Sequence, residues 1–226
     1  MKKHAFAMIA VAVVACVVAA IAVALQILPM HFFVLPPAQA QASLANISST
    51  CSMLKECALK PGDILIRRHN TSRTKLFEIF IHSYFTHSAF YYGDGAIIEA
   101  GGTETDRRDD IRALSFSQSD WATDPLETWV VFRPTTASSS SIERLRAYMK
   151  GVADDPEYVF GFRTSKRSKR ASCSDIIFDG LIASNIVPDM DRPDVMTPDY
   201  LFNYLIFHPG DFAVAVHGSA EGVGGE

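Results

Sequence analysis

The sequence predicts an α+β domain, in which a small antiparallel sheet packs on a helix, preceded by an N-terminal membrane segment. Three observations predict this: a β-hairpin pattern at residues 86–100, a helix with a capped start near Cys173, and an apolar run after two N-terminal lysines. The 226 residues, 48% hydrophobic and 20% charged, have the composition of one ordinary globular domain with an added segment.

The charge balance argues against a nucleic-acid partner. The net charge is −4 and the isoelectric point is about 6.0, whereas a nucleic-acid-binding surface needs a basic face. The one basic run, at residues 166–170, is too short to supply it.

The N-terminus has the pattern of a membrane-targeting segment. Lys2 and Lys3 precede an uncharged apolar run from Ala5 to Leu25, which places the N-terminus in the cytoplasm and the body of the protein across the membrane. The run is long enough to span a bilayer as a retained anchor, the interpretation we favour. Residues 36–40, PPAQA, resemble a signal-peptidase site, so a cleaved signal peptide stays open. Either way we expect the protein in the cell envelope or secreted.

The four cysteines fall into different settings. Cys16 lies in the membrane segment, and a lipobox ending there is the weakest interpretation because the residues after it stay apolar. Cys51 and Cys57 are close enough for a small-loop disulfide in an oxidising compartment. Cys173 is left over, and an unpaired cysteine in an exported protein is a candidate reactive thiol, although most such cysteines are simply buried.

Composition divides the chain into four parts. Residues 1–40 are the signal peptide or anchor, residues 41–58 are a linker, residues 59–217 form the folded domain, and the glycine-rich residues 218–226 are a disordered tail. Within the domain, strands are predicted at Ile64–Ile66, Thr128–Arg133 and Phe212–Val216. Helices are predicted at Ser72–Phe85 and from the serine run at 138–141, with Ser140 and Glu143 at capping-box spacing, to Gly151.

The hairpin THSAFYYGDGAIIEA has a strand from His87 to Tyr92 and a return strand from Ala96 to Ala100. A two-residue loop would put Glu99 on the face opposite His87. A three-residue loop at residues 93–95, or an equivalent bulge, would pair Ala89 with Glu99 and put Glu99 on the face of His87.

The segment SCSDIIFDGLIASN predicts a helix that begins near Cys173. Ser172 and Asp175 have capping-box spacing, with aspartate in place of the usual glutamate or glutamine. The first turn exposes backbone N–H groups at the positive end of the helix dipole. The pKa of a thiol there is lowered, which favours the thiolate.

Nucleophilic catalysis by cysteine needs a base and a polar group that orients the base. Cys173, His87 and Glu99 supply these three residue types in suitable settings. No cofactor or metal is required, and a zinc site at Cys173, His87 and His82 lacks a recognised metal-ligand spacing.

Simpler roles for the same features stay open. In one alternative Glu99 only ends an edge strand, and in another it pairs with one of three arginines: Arg107, Arg108 or Arg112. Asp63 of the PGD turn is predicted to be a turn former, and Trp121 and Trp129 are predicted core residues.

The order PGDIL, THSAFYYGDGAIIEA, CSDIIFDGL and MTPDYL resembles the circularly permuted papain-like group of the NlpC-type amidases, and its YiiX- and YaeF-like members in particular. The resemblance covers Leu59 to Leu205 and rests on the order of the motifs. It implies a permuted papain-like catalytic domain, with Cys173 as nucleophile, His87 as base and Glu99 as orienting residue.

The resemblance also implies a reaction class, cysteine amidase or peptidase, with cell-wall peptides such as peptidoglycan among the substrates. The sequence spacing between His87 and Glu99 is similar to the spacing between two histidines in the lecithin:retinol acyltransferase-like relatives, where histidine takes the place of Glu99. A lipid-directed acyltransferase or thioesterase is therefore the alternative enzyme, and a non-catalytic binding module is the third hypothesis. No side-chain donor for an oxyanion is identified, and the backbone N–H of Cys173 is the candidate.

Overall fold

The computed structural model describes residues 11, 13–21, 51, 53–69, 83–101, 110–123, 128–161, 163, 168–190, 193 and 196–219. The described residues form an α+β fold with a six-stranded antiparallel sheet in the order β4-β3-β2-β1-β5-β8. Its strands are β1 (Ile64–Arg68), β2 (His87–Gly93), β3 (Ala96–Ala100), β4 (Ile111–Ser115), β5 (Thr128–Pro134) and β8 (Phe212–Ser219). A short parallel pair is formed by β6 (Val159–Phe160) and β7 (Arg170–Ala171).

The β2–β3 hairpin contains a bulge that sets its register. Asp94 and Gly95 form a two-residue turn, and both have positive φ, 53° and 72°, as a tight hairpin turn of the primed type requires. Tyr91 pairs with Ile97 and Gly93 pairs with Ala96, so Tyr92 is the extra residue. Ala89 therefore pairs with Glu99. Of the two registers that the sequence left open, the structure has the one that places Glu99 on the face of His87, and it arises from a two-residue turn with a bulge.

Helices cover one face of this sheet. The helices on this face are α2 (Ser139–Asp154), α3 (Cys173–Ala183) and α4 (Pro198–Ile206), whereas the short helix α1 (Asp120–Thr123) lies on the other face. Ile64, Phe90 and Phe132 of the sheet share a core with apolar residues of α2, α3 and α4, and Phe90 and Phe132 are fully buried. Helix α3 packs on β2, so the helix predicted to begin at Cys173 lies against the strand that begins at His87.

The other face of the sheet has a smaller apolar cluster. Leu65, Ala89 and Ile97 of the sheet pack there with Trp121 of α1 and with Leu54. Leu54 belongs to a short 3-10 helix, and a disulfide between Cys51 and Cys57 closes the loop around it. This part of the predicted linker is therefore packed against the domain.

Helices α2 and α3 approach each other closely at Gly180. A Cβ at this position would lie 2.8 Å from Leu145 Cδ1 and 3.3 Å from Met149 Sδ, and both of these side chains are fully buried. The glycine therefore lets the cysteine helix sit close against α2, at some cost in helix propensity.

We expect Gly180→Ala to destabilise the protein by about 1–2 kcal/mol, because overpacking outweighs the gain in helix propensity. Gly151→Ala is the matched control, since a Cβ at Gly151 of α2 meets no atom within 4 Å. That substitution should stabilise the protein by about 0.5–1 kcal/mol. Urea unfolding measures both. Equal stabilisation by the two changes would mean that α2 and α3 can separate freely.

Some sequence predictions of element boundaries were wrong. The N-cap of α2 is Ser138, whose side chain accepts the N–H of Ser141, and the helix runs past Gly151 to Asp154. Strand β8 extends to Ser219, because it pairs with β5 along its length, so residues 218–219 belong to the sheet and not to the predicted tail. The predicted helix at Ser72–Phe85 falls mostly on residues outside those described, and residues 83–85 are not helical.

The N-terminal segment is described only at residues 11 and 13–21, which are helical and exposed. Within the described part of the chain, no helix has both the length and the apolar character needed to cross a membrane. The predicted cleavage site at residues 36–40 lies outside the described residues.

Candidate active site

Cys173 is the first residue of α3, and a complete capping box fixes this helix start. The Ser172 hydroxyl accepts the N–H of Asp175 at 3.1 Å, and the Asp175 carboxylate accepts the N–H of Ser172 at 2.9 Å. The predicted cap and helix start are confirmed. Backbone N–H groups of a first helical turn lack intrahelical partners, so this position favours negative charge on the sulfur. The cysteine is 5% exposed and forms no disulfide.

His87 is the first residue of β2 and bonds the carboxylate of Glu99 across the hairpin. His87 Nε2 lies 2.9 Å from Glu99 Oε2. The pair is diagonal in the ladder, because Glu99 is directly opposite Ala89. Since β3 lies between β2 and β4, Glu99 does not end an edge strand. The arrangement that the catalytic interpretation required, with His87 and Glu99 on one face, is present.

Glu99 is 2% exposed and is held by more than His87. The indole N–H of Trp121 donates to Glu99 Oε2 at 2.9 Å, and Arg112 Nη2 lies 3.7 Å from Glu99 Oε1. Of the three arginines considered as partners, Arg112 is therefore beside Glu99, and the other two lie outside the described residues. Arg67 stacks over the Trp121 ring at 4.3 Å. These donors and charges keep the buried carboxylate ionised.

The pKa of Glu99 reflects this environment. Burial raises the pKa, but the hydrogen bond and charge of His87, the Trp121 N–H and the charge of Arg67 lower it to about 2. Glu99 is therefore an anion throughout the physiological range. It can fix the ring orientation of His87 and stabilise the imidazolium form.

His87 connects the two layers of the site. Glu99 and Trp121 lie on the face with the smaller cluster, whereas Cys173 belongs to the core on the helical face. His87 sits at the very start of β2 and interacts with both Glu99 and Cys173. Because Nε2 bonds Glu99, Nδ1 is the ring nitrogen left for the sulfur.

The Cys173 and His87 pKa values shift in opposite directions. Burial raises the pKa of the Cys173 thiol, but the charge of His87 and hydrogen bonds from His87 and Ser88 lower it below its ordinary value. Burial lowers the pKa of His87, but the charge of Cys173, its hydrogen bond and Glu99 raise it to about 9. Both shifts favour the charged forms, a thiolate beside an imidazolium.

Ser88 is a site residue that the sequence analysis missed. It points to the face opposite His87, and both its hydroxyl and its backbone N–H contribute to lowering the pKa of Cys173. The Ser88 hydroxyl lies 3.1 Å from that of Ser174, and both serines are fully buried. The signal was available, since Ser88 is a polar residue next to His87 on the inward-facing side of a strand.

Trp121 and Asp63 were assigned core and turn roles from the sequence. Trp121 is buried as predicted, and the missed feature is its hydrogen bond to Glu99. Asp63 accepts the N–H of Lys60 at 2.8 Å and bonds Arg133, so its turn role is confirmed. It lies at the end of β1 away from His87, which pairs with Arg67.

The structure thus brings together all three predicted site residues: Cys173, His87 and Glu99. No protein-family model matches this chain, and comparison with curated proteins gave no significant match.

Proposed function

We propose that this protein is a cysteine hydrolase that cleaves an amide bond through an acyl-enzyme on Cys173. His87 is the base and Glu99 orients it. The observation that carries the proposal is the 2.9 Å hydrogen bond from His87 to the buried carboxylate of Glu99, with the same imidazole also interacting with the Cys173 thiol at a helix N-terminus.

Two features support catalysis over a non-catalytic binding module. A binding module would leave Cys173 away from a helix start, or His87 and Glu99 on opposite faces, and neither is the case. The Cys173 thiol also has a lowered pKa despite its burial, which is unusual for a cysteine that only fills space.

The acylation step follows from the ion pair. The Cys173 thiolate attacks the amide carbonyl carbon, and the negative charge moves to the carbonyl oxygen, near the backbone N–H of Cys173. The C–N bond then breaks as imidazolium His87 gives its proton to the leaving amine. A thioester on Cys173 and a neutral His87 result.

Deacylation reverses the proton flow. Neutral His87 takes a proton from water, the oxygen attacks the thioester carbonyl, and the C–S bond breaks to release a carboxylic acid and the thiolate. Glu99 stays ionised throughout. Since acylation needs the His87 proton, activity should fall as the pH rises through about 9.

We further propose that the fold is the permuted papain-like NlpC-type fold and that cell-wall peptides are the substrate class. In its support, the histidine strand β2 and the glutamate strand β3 precede the cysteine helix α3 in the chain, and α3 packs on β2. The Cys51–Cys57 disulfide supports a domain outside the cytoplasm.

Acyl transfer to or from a lipid is the second candidate, and it would use the same acyl-enzyme. The exposed valines of the N-terminal helix, such as Val13 and Val17, favour a position near a membrane. Product analysis separates the two, because hydrolysis gives a free acid and transfer gives an acylated acceptor.

The first test is the pH dependence of iodoacetamide alkylation of Cys173 in the full-length protein. We expect an alkylation pKa well below the free-cysteine value of about 8.5, rising toward that value in His87→Ala. Mass spectrometry of the Cys173 peptide separates it from Cys16, the other free cysteine among the described residues.

His208→Ala is the matched control, because His208 is exposed and stacks on Tyr204. It should leave the alkylation profile unchanged. A slow thiol with an ordinary pKa that does not respond to loss of His87 would overturn the hydrolase proposal in favour of the binding module.

A further inference from the structure

Asp199, in the first turn of α4, accepts hydrogen bonds from the backbone just before strand β2, which begins at His87. Its two carboxylate oxygens accept the backbone N–H groups of Tyr84 at 2.7 Å and Phe85 at 2.8 Å. The N–H of Asp199 donates in return to the hydroxyl of Ser83 at 3.3 Å, and that hydroxyl donates to the carbonyl of Phe85 at 2.7 Å. Only Thr86 separates this segment from His87.

The same stretch of chain also holds the start of the cysteine helix. The carbonyl of Met196 accepts the hydroxyl of Ser172 at 3.0 Å, and Ser172 is the N-cap residue directly before Cys173. Met196 and Ser172 are both buried. Residues 196–199 therefore form hydrogen bonds both to the residue before Cys173 and to the segment before His87.

Burial of Asp199 disfavours its ionised carboxylate, and the hydrogen bonds that the carboxylate accepts oppose this effect. Burial raises the pKa of Asp199 above its ordinary value, against its hydrogen bonds to Phe85, Tyr84 and Ser83 and the charge of Arg68. Arg68 itself is fully buried and stacks over the Tyr84 ring at 4.0 Å. The segment before His87 is thus held by hydrogen bonds from its backbone to Asp199 and by the contact of Arg68 with the Tyr84 ring.

Position matters for this pair because Cys173 and His87 come from different parts of the chain. The two residues are 86 positions apart (173 − 87) and meet only through tertiary packing. A displacement of about 1 Å at a catalytic pair costs on the order of 10²-fold in rate. Residues 196–199 form hydrogen bonds both to Ser172, before Cys173, and to the segment before His87, so they fix the distance between the starts of α3 and β2.

We propose that Asp199 is a positioning residue that holds His87 against Cys173, acting through the backbone of Tyr84 and Phe85. The inference rests on the proposed cysteine hydrolase function and deepens it, since Asp199 touches neither reacting atom. It assigns a mechanical role to the MTPDYL segment, which connects the base strand to the nucleophile helix.

The test is Asp199→Asn in the full-length protein, read by two measurements. The amide can accept only one of the two N–H bonds, so we expect amide exchange at Tyr84 and Phe85 to quicken by about 10-fold or more. We also expect the alkylation pKa of Cys173 to rise by about one unit, because the imidazolium moves away from the sulfur.

Asp63→Asn is the matched control. Asp63 is also a buried carboxylate that accepts a backbone N–H, from Lys60, but it lies at the far end of β1. It should lower the denaturation midpoint while leaving the Cys173 alkylation pKa unchanged. If Asp199→Asn unfolds the protein, Ser83→Ala is the milder variant, and it should raise the same pKa by a smaller amount.

The outcomes separate the two proposals. A low, His87-dependent thiol pKa in the wild-type protein that Asp199→Asn and Ser83→Ala leave unchanged overturns the role of Asp199 alone. An ordinary, His87-independent thiol pKa in the wild-type protein overturns the hydrolase proposal, and the positioning role falls with it even if amide exchange responds.

Discussion

Glu99→Gln is expected to slow acylation of Cys173 by p-nitrophenyl acetate by about 10²- to 10⁴-fold at pH 7, the size of effect seen when a buried orienting carboxylate is neutralised. The probe is an activated ester, so the measurement needs no knowledge of the natural substrate. The burst of p-nitrophenolate reports one acylation event per enzyme.

Acylation should slow because the substitution removes the negative charge of Glu99, not because it changes the shape of the side chain. Glutamine can still accept hydrogen bonds from His87 Nε2 and the Trp121 indole, both now 2.9 Å from one carboxylate oxygen. It supplies no negative charge, however, and Arg112 and Arg67 remain nearby. The pKa of His87 should therefore fall below about 9, and with it the fraction of thiolate paired with imidazolium.

Asp120→Asn is the matched control for Glu99→Gln. Asp120 Oδ2 lies 4.0 Å from Arg67 Nη2, so the change removes a carboxylate beside Arg67 and leaves the Glu99 carboxylate in place. We expect it to alter the acylation rate by less than about 3-fold. Glu99→Gln should also add little to His87→Ala, because the carboxylate acts through the imidazole. An unchanged rate in Glu99→Gln would assign Glu99 a structural role only.

Arg133→Ala is expected to cost about 3–5 kcal/mol of unfolding free energy, the largest stability effect we predict. Arg133 Nε and Nη2 each donate to a different oxygen of Asp63 at 2.7 Å, and Asp63 is fully buried. Removing the guanidinium leaves the buried carboxylate with the Lys60 N–H but without its cation. Guanidinium chloride unfolding measures the loss.

Replacement of Arg133 and replacement of Asp63 should have different effects on the free energy of unfolding. The Arg133 side chain is 28% exposed, so Asp63→Ala leaves a cation that water can solvate and should cost less than Arg133→Ala. Lys150→Ala is the exposed comparison, since Lys150 pairs with Asp154 on the surface of α2, and it should have little effect. Equal losses for Arg133→Ala and Lys150→Ala would rule out a stabilising role for the buried pair. Neither Arg133→Ala nor Lys150→Ala should change the alkylation pKa of Cys173.

Much of the site was predictable because its signals are local. The capping spacing of Ser172 and Asp175 fixes a helix start, and that start is present at Cys173. Alternation along a strand decides which residues share a face, so the face of His87 followed from the sequence. That the cysteine helix would meet the histidine strand was implied only by the resemblance to the permuted papain-like group.

Bulges and long-range contacts were not predictable in the same way. The sequence left two hairpin loops open, and the choice between them depends on one extra residue, Tyr92, in the ladder. Nothing near Glu99 in the sequence indicates that Trp121 donates to its carboxylate, because the two meet only when α1 packs on the sheet. The bond from Asp199 to Tyr84 and Phe85 spans more than a hundred residues for the same reason.

The sequence by itself determined the residue types, the helix start at Cys173 and the alternation of faces along each hairpin strand, because capping and strand alternation act over a few neighbouring residues. The bulge at Tyr92, which only the tertiary structure shows, put Glu99 on the face of His87. Only the tertiary structure decided that the carboxylate would be buried, which cations and donors would surround it, and how the cysteine helix would reach the histidine. Burial and charge set the pKa values of the site, and both arise from residues that are distant in the chain.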